Sequence, residues 1–285
     1  MPPIKDSQEV LQTSPEEKVQ ILQEAFFPKP PEADLADIQD YRYPLVDMPE
    51  DITTQEMEVV LQRVSAKKAP GPDEIPNGIL QLLGPTLIQE LTRVFNSCLR
   101  LGYYPKHFRD SITVILQKPQ KDDYTAAKSY RPVALLNTLG KLLDAVVAGR
   151  IAYTAEKSQM LPTMHMGGRK GRSTDHALHH LVERIYAAWD ASKKEVASLL
   201  LLDVAGAFDN VSHIRLIHNI RKRGVDGCTL GLLRGFLASR TTRIKMGTYT
   251  SDSLATNTGI PQGSPLSPIL YLFYNADLLE ICQNL

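Results

Sequence analysis

Ala197-Ser-Leu-Leu-Leu-Leu-Asp203-Val204-Ala-Gly-Ala-Phe208-Asp209-Asn210-Val-Ser212 is the stretch on which the fold reading turns. Ala197–Val204 is a nearly continuous apolar run that ends in a carboxylate, the pattern of a strand buried on both faces. An ionised Asp203 at the end of such a strand is costly unless it is paired or metal-bound. A strand-end Asp that caps the following turn is the simpler alternative. Phe208, five residues on, would share a pocket with that carboxylate, although a ring alone more often belongs to a core.

Outward from this stretch, Ser212 opens a helix that Gly224 stops, and another helix lies near Leu230–Leu237. Thr242–Met246 and Ser253–Thr258 flank Gly247 as an expected hairpin. Gly259-Ile-Pro-Gln262-Gly263-Ser264 is a sharp turn, whose glycines and free backbone N–H groups could approach a nucleotide closely. Most Pro-Gly turns only turn, however. Pro265–Cys282 follows as an amphipathic helix.

Towards the N-terminus, Ser111–Leu116 and Arg131–Leu136 are β-branched runs on either side of a charged turn, and so an expected hairpin. Lys118, Lys121, Lys128 and Arg131 surround its tip, as a solvated loop or as a triphosphate clamp. The basic, glycine-rich loop Gly167-Gly-Arg169-Lys170-Gly-Arg172-Ser173 suits a sugar–phosphate backbone or plain solvent. His176, His179 and His180 share helical spacing but lack a further placed ligand, so a metal site is not expected there.

Helices are expected at Pro76–Leu83, Pro85–Leu101 and Thr138–Tyr153, with Gly102 as a C-cap. Thr53 with Glu56 forms a capping box ahead of Met57, Val60, Leu61 and Val64, which share one face. Ser14-Pro15-Glu16-Glu17 starts another helix in the same way; it would bury Val19, Leu22, Ala25 and Phe26 and stop before Pro28. Pro28–Pro49 has the composition of a linker, and Ala69-Pro-Gly-Pro-Asp73 of a fixed loop. The layout is α+β, with helices grouped around a modest antiparallel sheet.

The 285 residues are 43% hydrophobic and 22% charged, which excludes a mainly disordered chain and permits a sizeable core. No apolar run approaches the ~18 residues of a membrane span. The N-terminus has no apolar signal core, and three scattered cysteines suggest neither a disulfide framework nor a zinc ribbon, so an intracellular, reducing setting is expected. The 32 basic and 32 acidic side chains cancel, but unevenly. Residues 1–66 hold 5 basic and 14 acidic groups, whereas residues 100–175 hold 13 basic and 6 acidic. A basic middle of this kind is compatible with a polyanionic partner.

Taken in order, six of these segments resemble the reverse transcriptase domain of LINE-type (non-LTR) retrotransposons over about residues 53–285. They are Ala69–Asp73, Phe108–Lys118, Lys128–Asn137, Gly171–Ala177, Leu202–Ser212 and Gly259–Pro268. The resemblance implies a right-hand polymerase fold: fingers-like residues 53–196, a partial palm at 197–285 and no thumb. An acidic N-terminal helix and Pro-rich linker occupy residues 1–52. It also implies RNA-directed DNA synthesis, with RNA template, DNA primer and dNTP as partners, and a nuclear or mitochondrial location.

By resemblance, Asp203 with the Val204 carbonyl matches the first metal position, and Phe208 the gate beneath the nucleotide sugar. Lys118 and Arg131 match the triphosphate-holding residues, and Gln262 with Gly263 the turn lining the nucleotide pocket. Arg169, Lys170 and Arg172 are the expected nucleic-acid contacts, and Asp209 is not a ligand in the family's pattern. Glu74 stands where the family usually has Gly. The family's Tyr/Phe-Ala-Asp-Asp box would follow the Pro265–Cys282 helix, and the sequence ends at Leu285. Mg²⁺ is therefore the cofactor implied for the intact domain, held weakly or not at all by one carboxylate. The alternative is an inactive remnant that at most binds RNA. The last helix is expected to expose Leu270, Phe273 and Leu278 as a surface for association.

Overall fold

Ser14 caps helix α1 (Pro15–Phe26), accepting from the Glu17 N–H while its hydroxyl donates to the Glu17 carboxylate. The computed structural model describes residues 1–28, 32–44, 51–190, 196–256 and 258–283. Strands β1 (Ile4–Lys5) and β2 (Leu11–Gln12) pair antiparallel beside α1, which buries Val19, Leu22 and Phe26 and leaves Ala25 exposed. Of the expected linker, residues 32–44 hold one short 3₁₀ turn at Ala36–Ile38. Pro28 apart, its remaining residues lie outside those described.

The Thr53–Glu56 capping box forms in full and opens α2 (Thr54–Arg63), which buries Met57 and Leu61. Helices α3 (Asn77–Leu82) and α4 (Gly84–Arg100) follow, and Gly102 ends the second with φ +58°. The Pro-Gly-Pro loop is fixed by close approach: a Cβ on Gly71 would sit 2.3 Å from the Leu136 carbonyl oxygen. Asp73 of the same loop accepts from the Thr138 N–H at 2.8 Å.

Strands β3 (Asp110–Gln117) and β4 (Tyr130–Leu136) form the expected antiparallel hairpin, with Thr113 opposite Ala134 and Leu116 opposite Arg131. Helices α5 (Thr138–Lys157), α6 (Thr174–Asp190), α7 (His213–Lys222) and α8 (Gly227–Leu237) lead to β5 (Thr241–Met246). β5 lies parallel to β3 on the side away from β4. It pairs with β6 (Tyr249–Thr250) and β7 (Leu254–Ala255) in place of one longer return strand. Ser251 explains the break, since its hydroxyl takes the Ile244 N–H at 2.9 Å. Helix α9 (Leu266–Gln283) closes the described chain.

One hydrophobic core runs from Ile52 to Ala276 and draws on α2, α4, α5, α7, α8 and α9. A smaller one holds Ile4, Leu22, Phe26 and Tyr130. Chain on both sides of residue 196 contributes to the main core and to the sheet.

Three expectations fail. The sheet is mixed and not antiparallel throughout, because β5 runs parallel to β3. Ala197–Val204 is not a strand but irregular and exposed, with Leu200 79% and Leu201 81% accessible. A doubly buried strand needs a hydrogen-bonded neighbour and two covering layers, and among the described residues no strand lies beside this run. The last helix does not present Leu270 and Phe273 to solvent either; both are fully buried against the core, and only Leu278 of the three is exposed. No described helix is long and apolar enough to cross a membrane.

Candidate functional site

The Gly259–Ser264 turn is fastened on four sides, one of them α7, whose His213 Nε2 lies 2.7 Å from the Gly259 carbonyl oxygen. Towards the Phe208 turn, the Ile260 N–H donates to the Phe208 carbonyl at 2.9 Å and the Gly259 N–H to Val211 at 3.2 Å. Only glycine fits there: Gly259 has φ +66°, and a Cβ would lie 2.6 Å from the Phe208 carbonyl oxygen. Towards β4, the Ala134 N–H donates to the Gln262 carbonyl at 2.8 Å. Towards α5, the Ser264 hydroxyl donates to Asp144 at 2.6 Å and accepts from the Leu266 N–H at 3.1 Å. Asp144 is fully buried and also accepts from the Tyr104 hydroxyl at 2.9 Å. Burial pushes its carboxyl up to about 6, against the pull of both hydrogen bonds and of the Arg240 charge.

Phe208 is half-buried, its ring centroid 5.4 Å from that of Tyr271. The Tyr271 hydroxyl is pushed up by burial first, then by Tyr274 and by the charge on Asp203. Tyr271 thus meets the Phe208 ring directly and feels the Asp203 charge. Asp203 itself is exposed, not buried, and accepts from the Val204 N–H at 3.0 Å. Val204 is exposed as well.

Asp209 lies on the other side of the same turn, where the Gln262 side-chain amide donates to it at 3.2 Å. Burial raises its carboxyl, while the Gln262 bond and the Lys118 charge lower it. A shallow pocket here is lined by Asp209, Gln262, Thr113, Pro132, Ala134 and Arg240. Lys118 donates to the Lys128 carbonyl at 2.8 Å, so it braces the hairpin tip within electrostatic reach of Asp209. Arg131 is exposed, and strand alternation puts it on the face opposite Pro132 and Ala134. Lys118, Gln262 and Asp209 come together; Arg131 does not join them.

The basic loop separates into unlike parts. Arg169 is almost fully buried, forked onto Glu156 at 2.6 and 2.8 Å and donating to the Pro162 carbonyl at 2.6 Å. Its guanidinium is committed inside the protein, which corrects its expected contact with phosphate. Arg172 donates to the Thr163 carbonyl at 2.5 Å, and Lys170 is exposed.

Sequence reasoning missed Asp144 and Tyr271. The signal for Asp144 was present: a lone carboxylate in Leu142-Leu-Asp-Ala-Val-Val147 has to face a polar partner or lose its charge. Tyr271 carried no such signal, standing among apolar neighbours in a helix.

The residues present do not fit a two-ion metal centre. Asp203 offers one carboxylate with the Val204 carbonyl beside it. No group of three or more His, Cys, Asp or Glu assembles among the described residues. One carboxylate with a carbonyl and water is a weak site for a single Mg²⁺, and a pair of ions needs several carboxylates.

A family model described as reverse transcriptase (RNA-dependent DNA polymerase) matches residues 116–284. The chain belongs to the reverse transcriptase family. The matched span runs from the end of β3 through the Phe208 turn and the Gly259–Ser264 turn into α9. Reverse transcriptase relatives include a probable RNA-directed DNA polymerase from transposon X-element of Drosophila melanogaster, 36% identical over 78% of this chain. Those from transposon BS and mobile element jockey, of the same species, are each 31% identical over 80% of it. The chain spans about a quarter of each relative: 24%, 25% and 24%.

Proposed function

We propose that the chain is the nucleotide-gripping part of an RNA-directed DNA polymerase from a non-LTR retrotransposon. Residues 53–196 serve as fingers and 197–285 as part of the palm, with 1–52 as an N-terminal attachment. The observation that carries this reading is the fastening of the Gly259–Ser264 turn to both the Phe208 turn and the β3–β4 hairpin. Such a turn holds side chains rigidly around a triphosphate and its sugar, which is what templated phosphoryl transfer requires of a protein.

In this reading Lys118 supplies a point charge to the triphosphate, and Arg131 a fork once the hairpin closes. Gln262 and Gly263 line the base and sugar, and Phe208 packs beneath the ribose. Lys170 and Arg172 face the nucleic-acid backbone, and Asp203 with Val204 belongs at the metal position. The partners are an RNA template, a DNA primer and dNTP, with Mg²⁺ as the implied ion. No transfer step is assigned to the ion, because these residues do not assemble a centre for it.

The test is equilibrium binding of a labelled dNTP in the presence of primer and RNA template. Lys118→Ala and Gln262→Ala should each weaken it about tenfold, the worth of one charge-assisted or well-placed polar contact. Unchanged affinity in both, or no binding by the unaltered chain, would sink the reading. The exposed setting of Asp203 favours a second one, a non-catalytic domain that binds RNA through its basic middle. RNA binding without Mg²⁺-dependent incorporation supports it, and incorporation that Asp203→Asn abolishes excludes it.

A further inference from the structure

Arg215, His218 and Lys222 form a stripe along α7 at i, i+3 and i+7, with Arg221 beside it, and a strap made of residues 34–43 lies across them. Arg215 takes the Asp37 carboxylate with two parallel bonds of 2.8 Å and also reaches the Asp34 carbonyl. The Tyr43 hydroxyl is 3.0 Å from His218 Nδ1. The Arg221 guanidinium sits 3.9 Å above the Tyr43 ring. Tyr41 and Tyr43 lie 5.0 Å apart and meet the His218 ring at 5.4 and 5.7 Å.

The strap adds nothing to either core, since none of residues 32–44 is buried. Among the described residues its side-chain contacts outside the strap go to α7, and the two arginine contacts have nucleic-acid chemistry. A guanidinium forked onto a carboxylate has the geometry of a guanidinium forked onto a phosphate. A guanidinium flat on an aromatic ring has that of arginine on a nucleobase. His218, with 2% of its side chain exposed, keeps Nε2 without a hydrogen-bond partner, 3.9 Å from the Asp37 carboxylate. The other charges on this side are spoken for: Lys222 and Arg223 share Asp277, and Arg223 also holds Glu280. Arg215 and Arg221 are what a displaced strap would release.

We propose that this face of α7 is a binding surface for single-stranded RNA, occupied here by residues 34–43 as a displaceable internal substitute. Asp37 stands for a phosphate and Tyr43 for a base. A polyanion bearing flat rings follows from the face itself; the choice of RNA rests on the function proposed above. Among the described residues no strap contact reaches Lys118, Phe208 or Gln262, so dNTP binding serves as a second readout. The strap buries no core residue and its ion pair is half open to solvent on the Asp37 side, which makes it cheap to remove.

The test is binding of an oligouridylate of about 20 nucleotides, longer than one single-strand site, followed by anisotropy. Asp37→Asn keeps the shape and removes the charge. It should tighten RNA binding about twofold to fivefold, as expected for freeing one exposed ion pair. Adding Arg215→Ala and Arg221→Ala should erase the gain, with dNTP binding unaffected throughout. In the unaltered chain, the imidazole resonances of His218 should shift as RNA is added, which needs no variant to fold. The proposal is overturned by unchanged affinity in Asp37→Asn, by a gain that survives loss of both arginines, by unmoved His218 resonances, or by polyglutamate binding as tightly as RNA. Tightening through α7 in a chain that binds no dNTP would keep this inference and remove the nucleotide-gripping reading.

Discussion

The Ser264 hydroxyl donates to Asp144 at 2.6 Å, fastening the Gly259–Ser264 turn to a carboxylate with no exposed surface. The burial of this carboxylate sets a pH dependence, which the hydrogen bond only moderates. Asp144 has its carboxyl raised from 3.8 to about 6, so between those values the folded protein binds a proton that the unfolded chain has released. Stability therefore falls as pH rises through this window and levels off above it, by roughly 3 kcal/mol at most. Asp144→Asn removes the titration. Denaturant unfolding from pH 4 to 7 should show the variant gaining on the unaltered chain as pH rises, and a constant difference would disprove the assignment. Asp144→Ala loses the titration as well and also strands two buried hydroxyls, so it should lie about 1–3 kcal/mol below Asp144→Asn at every pH.

Gly263 and Gly247 make a matched pair. Both have positive φ, +136° and +60°, but a Cβ on Gly263 would lie 2.4 Å from the Ala134 carbonyl oxygen, whereas Gly247 has open space. Gly247→Ala should cost about 1 kcal/mol for left-handed backbone alone. Gly263→Ala adds a backbone clash, so a loss above ~2 kcal/mol is expected, with loosening of the Ala134–Gln262 bond. Hydrogen exchange at the Ala134 amide reads the second effect directly.

Arg169 and Lys170 are neighbours with opposite duties. Removing the Arg169 side chain leaves Glu156 without its fork and the Pro162 carbonyl with only the His165 N–H, so Arg169→Ala should destabilise by about 3 kcal/mol. Lys170→Ala should change stability by no more than ~0.5 kcal/mol, as for any exposed substitution. If RNA affinity drops in the lysine variant at unchanged melting temperature, the loop touches nucleic acid through Lys170. Equal stability losses in the two variants would contradict the burial of Arg169.

The exposed apolar surface lies at Leu199–Leu202 and along α6, where Leu178, Val182, Tyr186 and Trp189 form a stripe. Exposed apolar side chains in such runs promote association. Leu200→Lys with Leu202→Lys should lower the association seen by sedimentation and leave the melting temperature unchanged, since neither side chain is buried. Leu278→Lys alone should do much less.

The parts of this molecule that could be read from residues are those whose partners stand nearby in sequence. The Thr53–Glu56 capping box, the Gly102 C-cap and the β3–β4 hairpin each need only local chemistry, and each forms. The apolar run 197–204 is different. Periodicity marks it as a strand, but a strand exists only where a neighbour supplies its hydrogen bonds, and no local signal reports that neighbour. Arg169 fails for a related reason: a Gly-Arg-Lys-Gly loop looks solvated until Glu156, 13 residues earlier, turns one of its cations inward. At the site, the order of Phe208, Gln262 and Gly263 was legible, but the Asp144 anchor depends on contacts from residues 104 and 264.

Phe208 can be changed without cutting the fastening of its turn, because Ile260 and Gly259 hold backbone atoms of that turn and not the ring. Its half-buried ring rests on Tyr271, so Phe208→Val should cost about 1–2 kcal/mol, less than truncation of a fully buried phenylalanine. If the ring packs beneath a bound sugar, it leaves no room for a 2′-hydroxyl, and the smaller side chain opens that room. The measurement is the ratio of affinities for a deoxyribonucleoside and a ribonucleoside triphosphate, taken with primer and RNA template present. A gate residue requires a preference for the deoxy form that Phe208→Val erases while the circular dichroism is retained. A purely structural ring predicts the reverse pattern, the same stability loss with an unchanged ratio, and that outcome would remove Phe208 from the nucleotide site.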